Sequence, residues 1–265
     1  MPEGDTVHRT ARLLDRSLSG QVLTRSDFRV PQHATADLAG AGVVETVSRG
    51  KHLLTRIDDS AAGESWTLHT HLKMEGSWRV YRPGQRWSRP THQARVVLET
   101  ARSVAVGWAL GVVELLPRDR EDDVVGHLGP DLLGPDWDED EALQRLREDP
   151  ARPVGEALLD QTRLAGIGNM YMSELCFTSG VRPTTALADV PDLTRLVRRA
   201  KQMLETNKQR ATQSTTGSLR EPFWVFRRDK AACRRCGTPV VVEMLGQPGR
   251  ERAAYWCPAC QPDRG

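Results

Sequence analysis

Long apolar runs are missing from this chain of 265 residues. The best candidate, Val104 to Leu116, is broken by Gly107 and Gly111 and falls short of the roughly 18 residues a membrane-spanning helix needs. The opening MPEGDTVHRT carries charges where a secretory signal would be apolar, so a cytoplasmic protein with no membrane partner is expected. Aromatic residues are scarce, at 5%, and cysteines number five. Four of the five stand in two Cys-x-x-Cys pairs, with Cys176 left over. In a reducing compartment that pattern argues against a disulfide scaffold and for a metal. A large surplus of either charge is also lacking, but the net +2 hides +3 over residues 1–117, −8 over 118–149 and +7 over 150–265. The basic last part suits a nucleic acid, although a solvated surface accounts for it as well.

What is present is periodicity. Val7, Ala11, Leu14 and Leu18 mark one stripe of a helix over Thr6 to Leu18, with Asp5 or Thr6 as its cap and Gly20 at its end. From Gln21 to Leu116 the period becomes two. In WTLHTHLK, Trp66, Leu68, Thr70 and Leu72 face one way, while Thr67, His69, His71 and Lys73 face the other. A β-sandwich or barrel is expected there. The acidic stretch reads as a linker with a surface helix over Asp138 to Arg147. Helical spacing returns in Val154 to Gln161, in Met170 to Thr178 with Asn169 as cap, and in a third helix through Leu193, Leu196, Val197, Ala200 and Leu204.

Four constellations carry chemistry. Cys233 and Cys236, then 20 residues, then Cys257 and Cys260 form two thiolate pairs. They suit one tetrahedral zinc with bonds of about 2.3 Å, which would hold together a unit too small for a core of its own. LLDQTRLAGIGNMY, residues 158–171, is a two-glycine turn feeding a helix start, where backbone N–H groups and Asn169 can meet an anion; an ordinary helix corner explains it equally well. Pro2 follows a methionine that is usually removed before a small residue. A free proline is a secondary amine able to attack an aldehyde carbon, and Glu3 beside it can move protons. Lys51, in SRGKHLL, stands at a strand start.

Taken together, PEGDT at the start, RGKHL at 49–53, HLKMEG at 71–76, HLGPDLL at 127–133, LLDQ…AGIGN at 158–169 and the closing RAAYWCPACQ resemble the formamidopyrimidine-DNA glycosylase and endonuclease VIII family, most of all its actinobacterial endonuclease VIII branch. The resemblance covers essentially the whole chain. It implies an α+β fold: an N-terminal catalytic β-sandwich with flanking helices (1–117), the acidic segment (118–150), a helix–two-turn–helix module (151–222) and a zinc-ribbon finger (223–265). It also implies a monomeric bifunctional DNA glycosylase and abasic-site lyase that removes oxidised pyrimidines from damaged DNA. Pro2 would form the Schiff base with C1′, and Glu3 would act as general acid/base. Lys51 would assist β-elimination; Arg252 would grip phosphate and assist δ-elimination. Asn169 would bind phosphate, and Lys73, Met74 and His127 would contact DNA. Glu75 departs from the better-known wedge sequence, and His127 stands where an arginine is expected. The short segment Thr216 to Phe223 leaves little chain to cover a purine. An 8-oxoguanine enzyme on the same fold and a non-catalytic zinc-ribbon nucleic-acid-binding protein remain the alternatives.

Overall fold

The computed structural model describes residues 2–263, so the methionine whose removal would free Pro2 lies outside them. Two compact units emerge: Pro2 with residues 6–127, and residues 3–5 with 128–263.

In the first unit, helix α1 (Gly4–Leu18) buries the expected stripe, with Val7, Ala11, Leu14 and Leu18 each at most 3% exposed. It begins two residues earlier than the sequence suggests. Asp5 therefore sits inside the first turn, where its carboxylate accepts from Gln213 Nε2 at 2.7 Å. The strands are β1 (Leu23–Phe28), β2 (Gly42–Arg49), β3 (His52–Asp59), β4 (Glu64–His71), β5 (Ser77–Tyr81), β6 (Ala94–Thr100), β7 (Val104–Trp108) and β8 (Val112–Pro117). They form two antiparallel four-stranded sheets, ordered β1-β6-β7-β5 and β2-β3-β4-β8. Leu23, Phe28, Val96 and Leu98 of one sheet share a core with Leu53, Ile57, Leu68 and Val113 of the other and with α1, as a β-sandwich requires.

The alternation in β4 is kept, but its polar face is not solvent-facing: Thr67 and His69 are buried. Arg56 explains the first, because it bridges Glu45 at 2.7 Å and Glu121 at 2.7 and 2.8 Å, and Glu121 in turn accepts from Thr67. The polar groups are paired with one another, which makes burial tolerable. The short helix α2 (Asp122–Val125) follows.

In the second unit, α3 (Glu139–Arg147) is the acidic helix, with Asp138 as its side-chain N-cap. Its other face buries Ala142, Leu143 and Leu146 in this unit's core, so the acidic stretch is divided between the units and does not stand apart as a linker. Helices α4 (Val154–Leu159), α5 (Asn169–Ser179) and α6 (Leu193–Asn207) follow. The turn between α4 and α5 supplies Leu164 and Ile167 to the same core. Strands β9 (Val241–Leu245) and β10 (Arg252–Trp256) form a two-stranded ribbon. Among the described residues, no helix is long and apolar enough to cross a membrane.

Candidate active site and metal centre

The second unit builds a carboxylate into the start of a helix. Glu3 is fully buried and accepts from the backbone N–H groups of Gly168 at 2.6 Å, Met170 at 2.8 Å and Tyr171 at 3.3 Å. These are the donors a helix N-terminus leaves unsatisfied, and the helix dipole favours an anion there. Two glycines make room for it. A Cβ on Gly168 would lie 2.6 Å from Glu3 Cδ, and one on Gly4 would lie 2.9 Å from Gly166 Cα. Gly4 N–H also donates to Gly166 O at 2.9 Å. The two-glycine turn is thus an anion cradle, and the anion it holds is the protein's own Glu3. Half-buried Pro2 precedes this carboxylate directly.

Asn169 differs from the cap expected of it. Gly168 occupies the N-cap position, and Asn169 is the first helical residue. Its Nδ2 donates to Ala253 O at 2.6 Å, tying α5 to β10, while its buried Oδ1 has no hydrogen-bond partner among the described residues. Arg252, at the start of β10, is exposed, and its guanidinium donates to Glu251 O at 3.4 Å.

In the first unit, Gly50 and Lys51 form the turn between β2 and β3, where Arg49 pairs with His52; Gly50 has φ +56°. The β4–β5 turn carries Lys73, Met74 and Glu75, all exposed, with Met74 at 61%. Lys73 holds a left-handed φ of 52° and donates its N–H to His71 Nδ1 at 2.9 Å. A Cβ on Gly111 would overlap Lys73 Cγ at 2.2 Å, so this lysine stem lies against a glycine.

Sequence reasoning missed a histidine cluster. Glu114 Oε2 meets His69 Nδ1 at 2.7 Å, and His69 Nε2 meets His52 Nδ1 at 2.8 Å. Glu114, His69 and His52 thus form one continuous chain of hydrogen bonds, in which the tautomer of each ring is tied to that of the next. The rings of His71 and His127 meet His52 edge-on at 5.0 and 6.3 Å. Burial, then the neighbouring His71, His69, His127 and Lys73, lowers His52 to about 3. Burial, then Lys73, Lys51 and His69, lowers His71 to about 4. Both imidazoles are neutral at physiological pH. The period-two placement of His69 and His71 was the available signal, but nothing in the chain order joins them to residues 52, 114 and 127.

The four paired cysteines converge. Their sulfurs all lie within 4.8 Å of one another. Cys236 Sγ is 3.5 Å from the sulfurs of both Cys257 and Cys260, and Cys233 Sγ is 3.9 Å from that of Cys260. A tetrahedron with bonds of about 2.3 Å has edges of about 3.8 Å, so the donor set fits a thiolate-bound metal. Hydrogen bonds from Thr238 lower the Cys236 thiol to about 6, whereas burial raises that of Cys257 and pushes Cys260 up to about 12.

With this geometry in place, comparison with known proteins identifies the family. The formamidopyrimidine-DNA glycosylase N-terminal domain matches residues 1–108, and the helix–two-turn–helix domain of the same family matches residues 128–218. The chain belongs to the formamidopyrimidine-DNA glycosylase family. A protein of Streptomyces coelicolor named probable endonuclease 8 2 is 53% identical over 264 residues, covering 98% of this chain and 94% of that one. A Mycolicibacterium smegmatis protein named DNA-(apurinic or apyrimidinic site) lyase Nei2 is 48% identical, covering 98% and 99%. Among solved structures, the Lactococcus lactis Fpg in complex with DNA containing an abasic site shares the fold, with a TM-score of 0.80 at 21% identity over 99% of this chain and 100% of that one.

Proposed function

We propose that this chain is a bifunctional DNA glycosylase and abasic-site lyase acting as a monomer on oxidised pyrimidines in damaged DNA. The observation that carries the reading is the Pro2-Glu3 pair, with its carboxylate seated on the α5 N-terminus, in a chain nearly half identical over its whole length to a protein named an abasic-site lyase. With the α-nitrogen free, Pro2 attacks C1′; the N–C1′ bond forms as the glycosidic bond breaks, and the base departs with a proton. The C1′–O4′ bond then breaks as O4′ takes a proton through Glu3, and the resulting ring-opened iminium acidifies the C2′ proton. Its removal expels the 3′-phosphate, and Lys51 assists that step. Loss of the 5′-phosphate completes δ-elimination, assisted by Arg252. Glu3, next to Pro2 in the chain, is the group that takes up the proton from the Pro2 nitrogen and delivers one to the sugar oxygen.

Arg252, Asn169, Lys73, Met74 and His127 line the DNA in this reading, with Met74 as the exposed apolar wedge. Cys233, Cys236, Cys257 and Cys260 hold one structural zinc, which supplies folding energy to the ribbon and no chemistry. The preference for pyrimidines rests on the short segment after α6. Thr215 and Thr216 N–H groups return to Pro222 O at 2.8 and 3.4 Å, closing the loop on itself and leaving little reach over a purine.

The test is borohydride trapping on an abasic duplex, followed by mass mapping of the adduct. Label on Pro2 is expected, and label elsewhere, or none, defeats the reading. Single-turnover excision of dihydrouracil against 8-oxoguanine tests the lesion class separately; faster release of the purine selects the 8-oxoguanine alternative.

A further inference from the structure

A cleft of about 420 Å³ opens in the second unit. Thr178 at the end of α5, Arg199 and Gln202 on α6, Thr215 in the loop after it, and Trp224 and Arg235 near the ribbon form its walls. Thr178 lies nine residues along α5 from Asn169, about 13 Å away at 1.5 Å per residue, so the cleft is separate from the Glu3 cradle.

Charge in this cleft is one-sided. None of the residues lining it is acidic. Arg195, one turn before Arg199, adds a third guanidinium on the wall of an adjoining smaller cleft. Their sequence neighbours do find partners: Arg198 pairs with Glu139, and Arg234 with Glu221. Among the described residues, Arg195, Arg199 and Arg235 form no ion pair. The buried carboxylate of Glu174, which accepts from the cleft residue Thr215 through Oγ1, is also occupied by the N–H groups of Trp224, Val225 and Phe226.

The two cleft arginines are held in place. Arg199 donates to Thr178 O. The Arg235 guanidinium lies 4.5 Å over the Phe177 ring and 5.8 Å over Trp224, and those two rings are stacked at 5.6 Å. Burial, then the charges of Arg195 and Arg235, depresses the Arg199 pKa. An anion entering the cleft relieves that repulsion.

We propose that this cleft binds the phosphoryl group of free phosphate or of a small phosphate ester, gripped between Arg199 and Arg235 with the Gln202 amide as a further donor. A tetrahedral anion offers acceptor oxygens in several directions, as two separate guanidiniums and an amide require, whereas one guanidinium fork satisfies a planar carboxylate. The site does not depend on the lyase reading and takes no part in the reaction at Pro2.

Calorimetric titration of the full, zinc-loaded chain tests this, with inorganic phosphate, AMP and adenosine as separate probes. Saturable one-site binding is expected for a phosphoryl-bearing probe and none for adenosine. AMP binding about tenfold more tightly than phosphate identifies an ester as the ligand, and equal affinities identify free phosphate. Arg199→Gln and, separately, the exposed Arg235→Gln should each weaken binding about tenfold or more, while Arg198→Gln leaves it unchanged. The proposal is overturned if neither anion saturates below about 10 mM, if Arg235→Gln binds as the parent does, or if Arg198→Gln loses as much affinity as the cleft variants.

Discussion

Gly168 decides how closely the α5 N-terminus approaches Glu3. Its φ of −122° suits any residue, so the constraint is steric and not conformational. Gly168→Ala puts a methyl 2.6 Å from Glu3 Cδ, which must displace the carboxylate from its three N–H donors. The expected cost is roughly 1–3 kcal/mol of stability, with a larger fall in single-turnover excision than in abasic-site binding; denaturant titration and trapping assays measure the two. A second prediction concerns His52 and His71. Their folded pKa values lie below that of an unfolded histidine, so below about pH 6.5 the unfolded chain binds more protons and stability falls with pH. Each imidazole contributes roughly 2 kcal/mol of that loss by pH 5. Urea midpoints at pH 7.5 and 5.0 should diverge, and His52→Gln should narrow the gap; an unchanged gap would remove His52 from this account. Pro2, Glu3 and Lys51 were legible as candidates because their residue types announce reactivity. The histidine cluster was not, since strand pairing alone brings His52, His69 and Glu114 into one chain of hydrogen bonds.

At the scale of elements, the sequence located strands and helices well wherever one face was apolar, as in α1, β4 and α6. It misjudged ends and partners. Asn169 reads as a cap by residue type, but Gly168 takes that place because only a glycine fits against Glu3. The acidic charges of α3 concealed an apolar face, since Ala142, Leu143 and Leu146 are few among many acids. The ribbon depends on more than its cysteines: Asn169 Nδ2 holds Ala253 O, and Ser173 Oγ accepts from Tyr255 N at 3.2 Å. Those bonds need β10 to be folded, so metal removal, by unfolding the ribbon, should also unseat β9 and β10 from α5. Chelation, or Cys233→Ser, is expected to abolish tight abasic-DNA binding while the β-sandwich keeps its amide protection in hydrogen exchange. Full affinity in the metal-free protein would show that the ribbon holds without it.

For the whole molecule, the near-neutral total charge is a poor guide, because the basic surplus is concentrated in residues 150–265. Affinity for abasic duplex should fall steeply with salt, and Arg252→Ala should reduce the slope of log affinity against log salt by about 1. A slope unaltered by that change would mean Arg252 touches no phosphate. One feature of chain order adds a temporal constraint. Glu3 is among the first residues made, yet its hydrogen-bond donors stand at 168, 170 and 171. At about 5–20 residues per second, a ribosome takes on the order of ten seconds or more to reach them. During that interval a nascent chain can form its sandwich while Glu3 has no seat. A translation product cut short before α5 would thus carry the proposed nucleophile without the arrangement that puts it to use, so the enzyme's competence is acquired late in synthesis.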